Sequence, residues 1–164
     1  MANTAKNSER DEGAVRALVV PLAGINLLVP NTVVAEVIPY SDPAPLPEAV
    51  PWMAGMVEWR GLKVPLFAFE VFIGLASGPP AGATRLVIIN TLRGNEKLPF
   101  IAVASQGIPR ALRVSEEAVQ QSAPAPEPGL AYRLAVDEVA LGIPELDAIE
   151  DALIQGGITV ERDA

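Results

Sequence analysis

The sequence predicts an all-β body with one helix at its C-terminal end. Three observations lead to this reading. About ten short apolar or alternating runs follow one another at roughly ten-residue spacing, the rhythm of an all-β barrel or a pair of barrels. The breaks between them are rich in turn formers, with 13 Gly and 16 Pro in 164 residues. Only near the end does the apolar period lengthen, where Leu146, Ile149 and Leu153 recur at helical spacing. Half of the residues are apolar, enough for a core in one ordinary domain or in two small intertwined lobes.

The elements follow in order. Residues 1–13 are polar and read as a disordered tail. Val15 to Leu22 and Ile25 to Val29 form a hairpin, with Gly24-Ile25-Asn26 as its turn. Asn31-Thr32 can cap one helical turn before the chain extends again to Tyr40. Five prolines between Pro39 and Pro51 fix φ and remove donors, so this stretch is an extended surface loop. Trp52 to Val57 runs apolar, Arg60-Gly61 reads as a tight turn, and Leu62 to Phe72 continues as a strand pattern around Pro65.

Ala76 to Thr84 is a loop, and Arg85 to Thr91 is β-branched enough for a buried strand. Leu98 to Ala104 and Ile108 to Val114 follow, then a second Pro-rich loop at Ser122 to Gly129. Leu130 to Val136 and Glu138 to Ile143 form a last hairpin. Pro144 opens a helix over 144–155, docked by one face, with Gly156 at its C-terminal end. Residues 156–164 read as a tail, which leaves 14–155 as the folded domain. The sequence shows no repeat of 20–50 residues.

Composition excludes many chemistries. The chain has no His and no Cys. That removes thiolate and imidazole catalysis, disulfides, and zinc sites built on those ligands. Phosphate-binding glycine motifs and a nucleophile elbow are absent as well. The net charge of −8 argues against nucleic-acid binding. It is unevenly placed: residues 1–113 carry a net of +1, and residues 114–164 a net of −9. The most apolar stretch, Ala17 to Pro30, is interrupted by Pro21, Gly24 and Asn26, too soon to span a bilayer. With no secretory h-region at the N-terminus, the expected location is cytoplasmic, without membrane insertion. No catalytic, cofactor or metal residue stands out.

Some residues remain as candidates. Glu36, Glu58 and Glu70 could supply the carboxylate pair of a hydrolase, although each also reads as an ordinary solvated or ion-paired strand residue. Glu145, Asp147, Glu150 and Asp151 read as the wet face of the terminal helix, favoured at its start by the macrodipole. Trp52 and Trp59 bracket one apolar run and suit either core packing or anchoring of a partner. Arg60, beside Gly61, presents a planar fork at a turn and can be braced by Glu36 or Glu58.

The stretch from Ile25 to Phe67 carries, in order, Val29-Pro30, Glu36-Val37, Leu46-Pro47, Pro51-Trp52, Gly55, Arg60-Gly61 and Val64-Pro65, with Gly74-Leu75 beyond. This series resembles the chemotaxis coupling family, the CheW-like proteins, and the strand rhythm extends the resemblance over 14–155. The sequence departs from the family pattern at Glu58-Trp59, Ala68 and Ala104-Ser105, as a divergent or accessory member of a pilus-associated chemosensory system would. The resemblance implies two interleaved SH3-like five-stranded β-barrels and a non-catalytic scaffold. It implies as partners the cytoplasmic tip of a methyl-accepting chemoreceptor and the regulatory domain of a sensor histidine kinase, in chemotaxis or twitching motility. It places the docking surface on Arg60 and Glu36, with Val37, Trp52, Val57 and Gly61 around them. A small-ligand-binding barrel and a carboxylate hydrolase are the alternatives.

Overall fold

The computed structural model describes residues 13–47, 50–78 and 81–162. All but Gly13 of the segment expected as an N-terminal tail lies outside them. The strands are β1 (Val15–Leu22), β2 (Ile25–Pro30), β3 (Val34–Pro39), β4 (Met53–Trp59), β5 (Leu62–Phe67), β6 (Arg85–Asn90), β7 (Phe100–Ser105), β8 (Arg110–Val114), β9 (Ala123–Pro124), β10 (Leu130–Val136), β11 (Val139–Pro144) and β12 (Glu161–Arg162). Three helices accompany them: α1 (Phe69–Phe72), α2 (Glu116–Gln120) and α3 (Leu146–Gln155). Among the described residues, no helix is long and apolar enough to cross a membrane.

The strands form two sheets. The first runs β8-β1-β2-β11-β10-β9; the second runs β3-β6-β7-β5, with β4 on the other side of β5 and β12 pairing its first residues. Both are open sheets that curl into lobes rather than continuously bonded barrels. Their layouts coincide. Each has an antiparallel hairpin (β1-β2, β6-β7) joined in parallel to a second hairpin (β10-β11, β4-β5). Each also has an outer strand (β8, β3) antiparallel to the first. The chain therefore repeats itself in space with its segments interleaved, a repetition that no sequence period displays.

Burial follows the same repeat. Val57, Trp59, Val64, Leu66, Leu86, Ile88 and Ala102 fill the second lobe. Ala17, Val19, Leu28, Leu134 and Leu141 fill the first. Between the lobes lies a larger shared core that includes Val20, Leu27, Val29, Phe67, Val87, Ile89, Ile101 and Val103. Strands that face a lobe core on one side and the shared core on the other are apolar on both sides, so runs such as Leu86 to Ile89 lack alternation.

Four local readings change. The first hairpin turns at Ala23-Gly24, since Leu22 pairs with Ile25 and only Gly24 has positive φ. The run expected as one strand to Phe72 stops at Phe67, and α1 follows. The main chain turns there because Val71 and Phe72 donate to the Ala68 carbonyl. The helical turn after Pro30 forms at Asn31–Val33, but without a side-chain cap. α3 buries Leu146, Ile149 and Leu153 as its spacing requires, yet Glu150 is only 1% exposed and does not belong to a wet face. Its Oε1 accepts the Leu92 N–H, while Asp147 and Asp151 hold Arg93 of the same β6–β7 loop.

Two further contacts tie the lobes. Glu70 on α1 is buried, and its Oε1 accepts a 3.4 Å hydrogen bond from Ala23 N–H in the β1–β2 turn. Burial holds this carboxyl above the ordinary carboxylate range. At the other end, Val160 N–H donates to the Lys97 carbonyl, and β12 pairs with Leu62 and Lys63.

Candidate docking site

In the second sheet, β3 and β4 lie at opposite sides, and among the described residues no backbone ladder joins them. Side chains close this seam instead. Trp59, the last residue of β4, donates from Nε1 to Glu36 Oε2 on β3 at 2.6 Å. The same oxygen takes an ion pair from Arg60 Nε at 3.2 Å. The guanidinium carbon of Arg60 sits 5.1 Å from the centroid of the Trp59 ring. One carboxylate, one indole and one guanidinium thus fix each other.

Local sequence produces this arrangement. β4 and β5 are joined by two residues, and both have positive φ, 49° at Arg60 and 75° at Gly61. That is the type I′ turn whose twist suits a hairpin. Gly61 enters the left-handed region at no steric cost, whereas Arg60 sits there with a penalty of about 1–2 kcal/mol. The strained arginine stays largely in solvent, with 68% of its side chain exposed against 38% for Glu36. Trp59 is by contrast 8% exposed and packs edge-on against Phe100, ring centroids 4.8 Å apart. The site therefore consists of an exposed cation on a buried aromatic plinth.

The structure gathers Glu36, Arg60 and Gly61, with Val37 exposed beside Glu36 on the edge strand. Two expected members stand elsewhere. Val57 is 2% exposed inside the second lobe, so it supports the hairpin from beneath and cannot touch a partner. Trp52, before the far end of β4, packs against Phe67 and Phe72 with centroids 5.4 and 5.8 Å away. The residue that organises the site is Trp59. Its signal was its place directly before the turn, where strand alternation carries it into the lobe interior.

The carboxylate-pair reading finds no support. Glu36 is engaged by Trp59 and Arg60, and Glu70 is buried against the Ala23 amide. Among the described residues, no group of His, Cys, Asp and Glu is placed to hold a metal ion.

An interleaved pair of open β-lobes around a shared core, with a cation fixed on one seam, defines a two-lobed binding domain. The model of the CheW-like domain matches residues 16–151, and the chain belongs to that family. No curated protein matches the sequence. Among solved structures, the chain is similar to the scaffolding protein TtCheW from Thermoanaerobacter tengcongensis, with 16% identity and a TM-score of 0.66. That similarity covers 81% of this chain and 85% of the other. At this identity it establishes the fold, two SH3-like β-barrel subdomains, and nothing further.

Proposed function

We propose that this chain is a non-catalytic cytoplasmic adaptor that couples a chemoreceptor tip to the regulatory domain of a sensor histidine kinase. The observation that carries this reading is the family match over 16–151, with Arg60 and Glu36 locked together on an exposed seam. The ion pair to Glu36 runs through Nε of Arg60, and the side chain, 68% exposed, offers its guanidinium to a partner carboxylate. Val37 adds exposed apolar surface next to it. Arg60 is held before any partner arrives, so less ordering is needed on binding. Kinase control then reflects how binding free energy is shared between partner states.

Arg60→Glu tests this. In a reconstituted receptor–kinase assembly the variant binds receptor about tenfold more weakly or worse and fails to activate the kinase, with an unchanged circular dichroism spectrum. A folded variant that couples normally refutes the assignment.

A further inference from the structure

The ladder registers allow the two lobes to be compared residue by residue. Arg60-Gly61 corresponds to Asp137-Glu138, since each pair forms the two-residue turn between Trp59 and Leu62 or between Val136 and Val139. Ala44 beside Met56 corresponds to Ala123 beside Arg133, three residues before each turn-flanking position. On the outer strands, Glu36 opposite Ile88 corresponds to Arg110 opposite Val19.

The first lobe thus carries a counterpart of the docking seam with its charges exchanged. The turn residue is Asp137 in place of Arg60, and the outer-strand residue is Arg110 in place of Glu36. Trp59 becomes Val136, and its stacking partner Phe100 becomes Asn26. The smaller residues leave space. A cleft of about 200 Å³ opens there, lined by Arg110, Ala111, Leu112, Val136, Asp137 and Val139 among others. A cavity of about 150 Å³ suffices for a benzene ring. Asp137 lines the cleft from the first position of the turn, where the backbone holds a positive φ of 50°.

We infer that this cleft is a second docking site, whose occupant is a partner segment presenting an aromatic side chain directly before a basic residue. The ring enters the space that Trp59 fills in the other lobe, with Arg110 available for cation–π contact and the basic residue paired with Asp137. This site is separate from the Arg60 seam and does not rest on the role proposed for it.

The test uses the intact protein, amide NMR, and two short probes: acetyl-Trp-Arg-Gly-amide and acetyl-Trp-Glu-Gly-amide. The first gives saturable shifts at Val19, Arg110–Leu112 and Val136–Leu141, and the second binds several-fold more weakly. Val136→Trp abolishes these shifts by filling the cleft. Ala111→Trp, at an exposed wall position, does the same if the first variant does not fold. Asp137→Asn, which keeps a residue tolerant of the left-handed region, weakens the first probe several-fold. Arg60→Glu leaves the binding unchanged. Shifts absent from these amides, shifts that persist in a folded cleft-filling variant, or equal binding of both probes would overturn the inference.

Discussion

The bond between Trp59 and Glu36 is where the architecture can be tested most sharply. Trp59→Phe removes the Nε1 donor and keeps most of the ring that packs on Phe100. A hydrogen bond to a charged acceptor contributes about 1.5–3 kcal/mol, and the carboxylate here is partly solvated, so the lower end applies. Loss of the smaller ring's missing atoms adds roughly 1 kcal/mol. The total, about 2–3 kcal/mol, corresponds to a fall in Tm of roughly 4–12 °C for a chain of this size. Urea denaturation separates the bond from the packing when Glu36→Ala, which removes the acceptor, and the double variant are measured as well. A true tether gives a coupling energy of about 1 kcal/mol or more. Trp52→Phe serves as the control, because Trp52 sits at the opposite end of β4, away from Glu36. If the two effects add within about 0.3 kcal/mol, the indole does not hold Glu36 and the seam is not closed in this way.

Other expected outcomes follow from single sites. Gly55→Ala places a Cβ 2.4 Å from the Ala44 carbonyl oxygen at a φ of 138°, so thermal denaturation should show a loss of about 3 kcal/mol or more, or no folded protein at all. Glu70→Gln should raise stability at neutral pH. Its carboxyl is held above the ordinary range, so the folded state binds the proton more tightly and native Glu70 loses stability as pH rises through that raised value. The gain in Tm is therefore larger at pH 8 than at pH 5 and vanishes below about pH 4, and a pH-independent gain would refute the assignment.

Much of the fold is legible in the chain. Hairpins announce themselves through Gly and paired apolar runs, and α3 through the spacing of Leu146, Ile149 and Leu153. What escapes depends on partners distant in sequence. Phe69 to Phe72 reads as strand because its residues are apolar and aromatic, while carbonyls around Ala68 decide the helix. Glu150 reads as solvated because only the β6–β7 loop, folded over it, supplies the Leu92 donor. The lobe repeat is hidden because corresponding strands share burial and register rather than residue identity. At the site, Arg60, Gly61 and Glu36 carry a sequence signal. Trp59 carries only its position directly before the turn, and its bond to Glu36 stays hidden because it spans 23 residues of chain.

Interleaving also sets an order of assembly for the nascent polypeptide. Every strand of β3 to β7 has been synthesised once Ser105 is added, so all the second lobe's ladders except the short β12–β5 pairing are available within one continuous stretch. The first lobe must keep β1 and β2 waiting until β8, β10 and β11 arrive, more than 80 residues later in the chain. Long-range closure of this kind is slow and leaves strand edges open meanwhile. The exposed Arg60 turn can thus be complete on a ribosome-bound chain whose charge-exchanged counterpart has yet to emerge.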